Sequence, residues 1–378
     1  MQITDLEVYA LRIPLKEPFF PSWIPGYPQT ANSLTLIRVK TDDKDIEGIS
    51  AAPAMGEEAG GLKNLLLPFI MGRDPFNVEN IVRVLRSATY LGHRLWFVEV
   101  ALWDIIGKAC GQPVHHLLGG FRDKILAYAS TGEVQGADKR VKSVLKLREQ
   151  GFKAVKLRFH SKDLHYDMAT LRAVRKAVGD DMEIMVDANQ GWKVYAVGEF
   201  GEWDYKTAVK AAKEMEKYNV RWLEEPLGMH DYRGLAALRR ETTVPIAGGE
   251  MNADLHEFRD LIENGCLDIL QPDATLSGGI LTAIKVAGMA QAYDLAVSPH
   301  TWTNGIGLAA NLQVMGAVAN CPYCEYPIEE PGWTVEARDA MLREPIEITS
   351  DGYVAIPQKP GLGIELNEDV IKKYGKKF

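Results

Sequence analysis

Seven ionisable side chains from residue 158 onward lie at or near the ends of short apolar runs, where they could take part in acid–base or metal chemistry. The intervals between neighbours are 29, 37, 26, 23, 27 and 25 residues. A β-strand, an α-helix and two short loops occupy about this length, so the intervals indicate repeated βα units. The seven residues are Arg158, Asp187, Glu224, Glu250, Asp273, His300 and Glu325.

The elements that must position these residues are predicted to form a closed barrel. A further strand pattern, ILAYAST at 125–131, precedes the first run and raises the number of strands to eight. Eight strands joined by helices at one interval are typical of a TIM-type barrel, here (β/α)7β, whose active site lies at the C-terminal strand ends. A doubly wound sheet is the structural alternative, but it rarely has eight strands at one interval.

Three acidic residues follow consecutive predicted strands: Asp187, Glu224 and Glu250. In a barrel their carboxylates would meet at one mouth, where they repel each other unless some are protonated or a cation lies between them. Ligands that are all oxygen favour a hard ion, Mg²⁺ before Mn²⁺ or Ca²⁺. The alternative is three unrelated helix caps or surface acids. Their common position favours a metal site.

Basic residues and a possible general base complete the predicted site. Lys156, Arg158 and His160 in KLRFH share one face because strand side chains alternate, and the carboxylates and an anionic ligand would balance their charge. On a surface strand the same pattern would have no function. Asp273 and His300 lie on adjacent strands, where the Asp can orient the His as a general base or serve structure alone. The chain has no G-x-S-x-G nucleophile motif.

The domain organisation follows from a change of pattern along the chain. Residues 1–122 begin with alternating strand patterns and continue with helical ones, which predicts an α+β capping domain. The barrel is predicted over residues 123–342. The C-terminal segment, residues 343–378, is predicted to return to the capping domain.

Three further segments are candidates for covering a ligand. One loop, at about 15–30, is rich in aromatic residues and Pro, and another, at about 51–61, is rich in Ala and Gly. Each of them either covers a ligand or only connects strands. An insertion at 193–205 accounts for the 37-residue interval. Its role as a lid or as an oligomer contact is left open.

Composition and charge exclude several classes of partner. The 378 residues are 46% hydrophobic and 25% charged, which is ordinary for a globular protein. A net charge of −8 and a pI of about 5.6 are opposite to what nucleic acid or an anionic membrane attracts, so a small-molecule partner is expected. Asp5 and Glu7 stand where a signal peptide would be basic, and no apolar run reaches the ~18 residues of a membrane span.

Cysteine usage predicts a reducing, cytoplasmic location. Four cysteines in so long a chain are too few for a disulfide framework. Cys321 and Cys324 have the C-x-x-C spacing of thiol redox enzymes, but they lie near the chain end and no second pair is present to complete a zinc site. This context favours a structural role for the pair.

The residues resemble the enolase superfamily and, within it, the mandelate racemase/muconate lactonizing enzyme family. The resemblance covers nearly the whole chain, including the capping domain with its two loops, the segment WDIIGKACGQPVHHLLGG, the three carboxylates and the His/Asp pair. It implies that Mg²⁺, held by Asp187, Glu224 and Glu250, binds the substrate carboxylate while a base removes the neighbouring proton. It also implies a homo-oligomer.

The resemblance implies roles for other residues as well. Asp273 and His300 would form the base, and Glu325 matches the acidic residue on the eighth strand that hydrogen-bonds the enolate oxygen. Lys156 would lie where the second negative charge develops. The residues expected to bind the substrate are His160, Asn189, Trp302 and Asn304.

One departure from the family pattern predicts the reaction. Racemases of the family carry Lys-x-Lys on the second strand, and the second Lys is the opposite base; here that position is Arg158, a poor base. One-sided proton abstraction by His300 followed by loss of a β-hydroxyl is the dehydration of a sugar acid. The alternatives are a racemase or epimerase with Arg158 or Lys156 as opposite base, a cycloisomerase, and a non-catalytic binding protein. A metal hydrolase is disfavoured because ILAYAST lacks H-x-H.

Overall fold

The computed structural model describes residues 1–53, 55–91, 94–195 and 198–378, and it leaves the side chain of Glu57 undescribed. Ala54, in the predicted loop at 51–61, and Ala196 and Val197, in the predicted insertion, lie outside the described residues. The strands are β1 Ile3–Phe19, β2 Gln29–Thr41, β3 Glu47–Pro53, β4 Lys124–Ser130, β5 Ala154–Arg158, β6 Glu183–Asp187, β7 Val220–Glu224, β8 Ile246–Gly248, β9 Ile269–Leu270, β10 Ala296–Val297, β11 Cys324–Pro327, β12 Tyr353–Ala355 and β13 Gly375–Lys377.

The helices alternate with the strands after the N-terminal region. A short 3₁₀ turn, Gly56–Glu58, precedes the first helix. The helices are α1 Ala59–Ile70, α2 Val78–Thr89, α3 Phe97–Ala109, α4 Val114–Leu117, α5 Ala137–Glu149, α6 Leu164–Val178, α7 Tyr205–Glu216, α8 Tyr232–Glu241, α9 Asp254–Glu263, α10 Gly279–Ala292, α11 Gly305–Ala317, α12 Val335–Arg338 and α13 Glu368–Tyr374.

The N-terminal unit is an antiparallel sheet covered by helices. Its strand order is β13-β1-β2-β3, and β13 pairs with β1 through Tyr9 and Lys377, which joins the two ends of the chain in one sheet. Apolar residues alternate along β1 because one face of the sheet is buried. Leu6, Ile37 and Leu85 belong to the core between this sheet and its helices.

Eight parallel strands form the predicted barrel. Their order is β10-β9-β8-β7-β6-β5-β4-β11, and α5 to α11 connect successive strands. The Val297 backbone N–H donates to the Asn320 carbonyl at 3.0 Å, and Ser298 Oγ donates to the Tyr323 carbonyl at 3.3 Å, which ties β10 to the approach to β11. The (β/α)7β fold and the capping domain predicted from the sequence are therefore confirmed.

Strand register places several predicted site residues side by side. Arg158 stands opposite Asp187, and Asp187 stands opposite Glu224, at the C-terminal ends of β5, β6 and β7. Neighbouring residues in register project to the same face of a parallel sheet, here toward the barrel mouth.

Buried hydrogen bonds hold the capping domain on the barrel. Glu99 on α3 accepts from the backbone N–H groups of Ile280 at 2.7 Å and Leu281 at 2.9 Å, and so caps α10. Asp104 on the same helix accepts from the Ile49 and Leu362 backbones, both at 2.9 Å. The contacts of Glu99 join α3 of the capping domain to α10 of the barrel, and those of Asp104 join α3 to β3 and to the C-terminal segment. None of the described helices is long and apolar enough to cross a membrane.

Candidate active site

Three carboxylates meet at the C-terminal ends of neighbouring strands. Asp187 ends β6, Glu224 ends β7, and Glu250 follows β8 by two residues. One carboxylate oxygen of each lies within 4.8 Å of the other two, and all three residues are buried. The structure therefore brings together the three acids that the sequence pattern selects as metal ligands.

Each of these carboxylates has one oxygen held by an N–H donor at 2.7–3.0 Å. The second oxygen of each faces a cationic or ionisable nitrogen of Lys156, Arg158 or His300. Donors of this kind fix the orientation of metal ligands and leave the other oxygen available for a cation. They are the Asn189 backbone for Asp187, the Trp222 and Gln271 side chains for Glu224, and the Trp192 side chain for Glu250.

Lys156 is the counter-charge of the carboxylates and has no exposed surface. Its ammonium contacts Glu224 and lies 2.8 Å from Glu325 Oε1 and 3.7 Å from Asp187 Oδ2. Burial alone would lower the pKa of Lys156, but Glu224 and Glu325 raise it above the usual value. The side chain therefore stays protonated. Lys156 does not line the cavity described below. Its positive charge is therefore already paired with the carboxylates, and an anionic substrate would compete with them for it.

Arg158 is fixed on all sides. Its guanidinium contacts Asp187, and its Nε donates to the Thr131 carbonyl at 2.6 Å. The guanidinium carbon lies 5.1 Å from the ring centroid of Trp23 and 5.6 Å from that of Trp302, within the range of cation–π attraction. Burial opposes the charge, yet the neighbouring carboxylates, Asp187 foremost, raise the pKa of Arg158. Arg158 can therefore bind an anion but cannot act as a base.

His300 and Asp273 form a hydrogen-bonded pair. His300 Nδ1 lies 2.9 Å from Asp273 Oδ2, and the other oxygen of Asp273 accepts from the Thr275 backbone at 2.7 Å and from Asn311 Nδ2 at 3.1 Å. His300 Nε2 lies 3.7 Å from Glu250 Oε2. Burial lowers the pKa of His300, but Glu250, Glu325 and Asp273 together raise it to about 10. His300 acts as a base only when cationic charge compensates these carboxylates.

Glu325, the second residue of β11, is an acceptor in this structure. Its Oε1 accepts from Ser130 Oγ at 2.7 Å and from Lys156, and its Oε2 accepts from the Thr301 backbone at 2.7 Å. Burial raises its pKa, but Lys156, His300 and Arg158 outweigh burial and lower the pKa of Glu325 to about 2. An ionised Glu325 has no proton to donate, so its role toward an enolate oxygen stays a prediction.

A cavity of about 580 Å³ lies between the barrel mouth and the capping domain. Both units line it, and the loop near residues 15–30 forms part of its wall, so of the two roles considered for that loop the covering of a ligand stays a prediction. Its volume suits a small molecule. The barrel contributes Arg158, Glu250 and His300, and the capping domain contributes Arg12, Trp23, Ile24, Tyr27 and Gln29.

Three of the four predicted substrate-binding residues line this cavity: Asn189, Trp302 and Asn304. Asn189 adopts a positive φ of 48°, and its Oδ1 accepts from Ser22 Oγ at 2.7 Å. The oxygen of Asn304 caps α11, because it accepts from the first backbone N–H groups of that helix at 3.0 Å. Only the amide nitrogen of Asn304 is left for a ligand.

His160 is not among the described residues that line the cavity. The predicted shared face with Lys156 and Arg158 does not extend to it, because β5 ends at Arg158 and strand alternation ends there too. His160 Nδ1 lies 2.5 Å from the Ser22 carbonyl, and its ring stacks on Phe200 at 4.6 Å between centroids. His160 therefore supports the loop that covers the cavity.

An aromatic wall was not predicted from the sequence. The rings of Phe19 and Trp302 stack at 5.4 Å between centroids, Trp23 meets Trp302 edge-on at 4.8 Å, and Trp333 lies 5.9 Å from Trp302. The aromatic residues of the loop near 15–30 were the available signal. The sequence contains no signal that Trp333 belongs to this wall, because Trp333 lies more than 300 residues from that loop in the sequence.

The insertion at 193–205 packs against the capping domain. A Cβ added at Gly198 would lie 2.4 Å from the Pro25 carbonyl oxygen, so the two backbones are in close contact. Phe200 stacks on His160, which in turn bonds the Ser22 carbonyl. The insertion thus buttresses the same loop that covers the cavity.

The carboxylate cluster fits a hard divalent cation. It offers three oxygen ligands and no thiolate, a set that suits Mg²⁺. Burial raises the pKa of Glu224 and Lys156 opposes this, so the cluster gains from added positive charge. Asp187, Glu224 and Glu250 are the residues that would hold the ion.

The two parts of the chain match two domain families. The mandelate racemase/muconate lactonizing enzyme N-terminal domain matches residues 15–119, and the enolase C-terminal domain-like family matches residues 139–370. The chain belongs to the enolase superfamily. Within it, the N-terminal match identifies a member of the mandelate racemase/muconate lactonizing enzyme family, and the resemblance seen in the sequence is confirmed.

Relatives of this enolase superfamily member act on sugar acids and their lactones. The chain is 31% identical to the D-galactarolactone cycloisomerase of Agrobacterium fabrum over 99% of both chains. It is 32% identical to the arabinonate dehydratase of Saccharolobus solfataricus, over 83% of this chain and 82% of the relative. The L-talarate dehydratase of Polaromonas sp. JS666, solved with Mg and L-glucarate, superimposes with a TM-score of 0.82 at 27% identity, over 100% of this chain and 98% of that one.

Proposed function

We propose that the protein is a Mg²⁺-dependent dehydratase of sugar acids. It removes the proton α to a substrate carboxylate and expels the β-hydroxyl, which gives a 2-keto-3-deoxy acid. The observation that carries this proposal is the asymmetry of the cavity. Two of the described residues that line the cavity show this asymmetry. His300 is paired with a carboxylate as a general base is, because its Nδ1 lies on Asp273, whereas Arg158 is held protonated by Asp187.

The asymmetry favours dehydration over racemisation. Racemisation needs a base on each face of the α-carbon, and the pKa of both Lys156 and Arg158 is raised above the usual value. Arg158 has no lone pair to offer near neutral pH, and Lys156 is not among the described residues that line the cavity. One base can still support elimination, because it needs proton removal from one face only.

The steps at His300 balance in protons and electrons. His300 Nε2 takes the α-proton while Nδ1–H stays on Asp273, and the C–H electron pair forms a C1=C2 bond, which turns the substrate carboxylate into an enediolate. The protonated Nε2 then gives its proton to the β-hydroxyl, the C1=C2 electron pair forms the C2=C3 bond as the C3–O bond breaks, and water leaves. The resulting enol tautomerises to the 2-keto acid.

Other residues of the chain create the environment for these steps. Mg²⁺, when held by Asp187, Glu224 and Glu250, supplies positive charge for the substrate carboxylate and for the second negative charge that deprotonation creates. Arg158 offers a guanidinium to the same anion at the cavity wall. The aromatic wall limits the water that reaches the site, which strengthens these interactions.

A cycloisomerase is the second candidate. It is favoured by the full-length similarity to D-galactarolactone cycloisomerase. The same one-sided base would remove the α-proton of a lactone, and the ring oxygen would leave in place of a hydroxyl. The substrate in both cases is a small molecule, the class of partner that the net charge of the chain favours. The cytoplasmic location and the homo-oligomer stay predictions.

The test is a screen with purified protein and Mg²⁺. The panel contains C4 to C6 aldonate and aldarate stereoisomers together with aldarolactones, and a 2-keto product is trapped with semicarbazide. Hits are repeated in D₂O and followed by NMR. We expect one or a few acyclic sugar acids to give 2-keto-3-deoxy acids with deuterium at C3.

The outcomes separate the candidates. Conversion of a lactone alone, with ring opening and no reaction of acyclic acids, selects the cycloisomerase. Recovery of inverted, deuterated substrate without a keto product would overturn the one-sided mechanism. Binding of sugar acids without any conversion in the presence of Mg²⁺ would support a non-catalytic binding protein.

A further inference from the structure

A second group of metal-ligating side chains lies where the chain passes from the capping domain to the barrel. His115 and His116 belong to α4, and Asp123 immediately precedes β4. One ligand atom of each residue lies within 4.8 Å of the other two. The group is at the N-terminal end of β4, whereas the carboxylate cluster is at the C-terminal strand ends. It is therefore separate from the candidate active site.

The tautomer of His115 follows from its partner, Gln313. The Gln313 amide nitrogen donates to the carbonyls of Pro357 at 3.0 Å and Leu362 at 3.1 Å, which fixes its oxygen on the opposite side. That oxygen accepts from the His115 backbone N–H at 2.8 Å and lies 3.0 Å from His115 Nδ1. Nδ1 must therefore carry the hydrogen, and the neutral ring has its lone pair on Nε2.

This lone pair is buried and has no hydrogen-bond partner among the described residues. His115 is 1% exposed, and its Nε2 is buried without a donor to satisfy it. Asp123 Oδ1, which is itself an acceptor when ionised, lies 4.0 Å away. A cation between the two acceptors would satisfy the buried Nε2 lone pair and pair with the carboxylate.

We propose that His115, His116 and Asp123 form a binding site for a divalent transition metal, with Zn²⁺ as the best match. Two imidazoles and one carboxylate are the ligands of a borderline ion and not of Mg²⁺ or Ca²⁺. Three protein ligands leave the fourth tetrahedral position to water. Gln313 accepts the other N–H of His115, as the outer partner of a metal-bound histidine does.

The ligand atoms need only a small movement to close on an ion. Ligands of a tetrahedral Zn²⁺ lie roughly 3.3 Å apart, given bonds of about 2.0 Å. His116 and Asp123 are exposed and can rotate, while His115 is held by Gln313. Binding would join α4 to the residue that precedes β4 and, through Gln313, to α11. The ion would thus cross-link the segment that connects the capping domain to the barrel.

The experiment is a Zn²⁺ titration of the full chain by calorimetry in excess Mg²⁺, which keeps the barrel carboxylates occupied. Co²⁺ absorption provides an independent signal of a tetrahedral site. The test variants are His116→Gln and Asp123→Asn, both at exposed positions where folding is not at risk. The control is His165→Gln, an exposed histidine on α6 outside the group. We expect one Zn²⁺ per chain, at least tenfold weaker binding in each test variant, and no change in the control.

A location measurement makes the test independent of affinity. Anomalous diffraction at the zinc edge from a crystal grown with Zn²⁺ and excess Mg²⁺ should give a peak beside His115 Nε2. A peak only among the barrel carboxylates, Zn²⁺ affinity that His116→Gln and Asp123→Asn leave unchanged, or no Zn²⁺ binding at all would each overturn the proposal. None of these results depends on turnover, so they do not bear on the proposed dehydratase.

Discussion

Side-chain type decides which cation at the barrel mouth can exchange a proton. Lys156, Arg158 and His300 all lie beside carboxylates that raise their pKa. Only His300 begins from an ordinary pKa near neutrality, so only its proton can be released when a cation compensates Glu250. Arg158 stays charged with or without that compensation. The proposed base is thus selected by chemistry as well as by position.

The first prediction concerns His300. His300→Asn should lower kcat by about 10²–10⁴-fold, because the general base is removed. Mg²⁺ affinity should be nearly unchanged, since His300 is not one of the three oxygen ligands. Steady-state kinetics and Mg²⁺ calorimetry check this, with His165→Asn as a control that lies outside the cavity. Retained turnover would remove His300 from its role.

A second prediction concerns Arg12, an exposed residue of β1 that lines the cavity from the capping domain. A cation there can bind a second carboxylate at the far end of a substrate. Arg12→Met should therefore raise KM for aldarates about tenfold, corresponding to ~1.4 kcal/mol, and leave KM for aldonates unchanged. An equal effect on both substrate classes would contradict the assignment. Arg83→Met, on α2, is the control.

A third prediction uses the buried Asp167 on α6. Burial raises its pKa to about 7, and a hydrogen bond from the Ser161 backbone at 3.1 Å offsets this only in part. The usual pKa is about 3.9, so folding is penalised increasingly as pH rises from about 4 to about 7, and fully above that. Asp167→Asn keeps an acceptor for Ser161 and removes the penalty.

The free energy of unfolding of Asp167→Asn should therefore exceed that of the wild type at pH 8 by up to about 4 kcal/mol. The difference should shrink toward pH 5. Urea unfolding at both pH values measures it. A difference independent of pH would show that ionisation of Asp167 has no part in it.

At the scale of the elements, the sequence predicted those features that local periodicity controls. Strand β6 ends at Asp187 and β7 ends at Glu224, where the sequence pattern predicted strand ends, because buried parallel strands are short apolar runs. Glu250 and Asp273 lie two and three residues beyond short strands. Both residues still lie at the barrel mouth, because the C-terminal ends of all the barrel strands lie there.

The features that the sequence did not predict depend on contacts between distant segments. In the aromatic wall, Trp302 contacts both Trp23 and Trp333. The loop that carries Trp23 is held by the contact between the Ser22 carbonyl and His160. No local pattern encodes such pairs. The reactivity of Cys321 is a related case, since its neighbours in space bury it and raise its pKa to about 12. This agrees with the structural role favoured for the C-x-x-C pair.

A fourth prediction concerns the helix cap across the domain boundary. Glu99 on α3 accepts from the Ile280 and Leu281 backbones and from Trp103 Nε1 at 2.7 Å. Glu99→Gln would place an amide N–H₂ against one of these donors. Burial raises the pKa of Glu99 to about 7, so the comparison is made at pH 5, where the cost of burying the charge is small, and there the free energy of unfolding in urea should fall by about 1–3 kcal/mol. Glu263→Gln, at an exposed position on α9, should have no effect, and an equal loss in both variants would argue against the cap.

At the scale of the whole molecule, the barrel and the capping domain supply different parts of the site. The barrel supplies the carboxylates, the cations and His300, whereas the capping domain supplies Arg12 and the loop that carries Trp23. Glu99 on α3 joins the capping domain to α10 of the barrel. Substrate specificity is therefore expected to change with the capping domain while the chemistry stays with the barrel.

The last prediction concerns the metal and the stability of the whole chain. Asp187, Glu224 and Glu250 are buried together, so an ion that binds only the folded state should stabilise it. At Mg²⁺ a hundredfold above Kd the gain is about 2.7 kcal/mol, and Tm should rise accordingly. Chelation with EDTA should abolish turnover, and added Mg²⁺ should restore it.

Glu224→Gln tests whether this stabilisation arises at the barrel mouth. The substitution removes one negative ligand and places an amide N–H₂ against Lys156 or against the Trp222 and Gln271 donors, so the metal-free variant should unfold at a lower Tm than the metal-free wild type. Its Tm should not respond to Mg²⁺. If Mg²⁺ raised the Tm of Glu224→Gln as much as that of the wild type, the ion would bind elsewhere, and the three strand-end acids would need Lys156 and Arg158 as their only counter-charge.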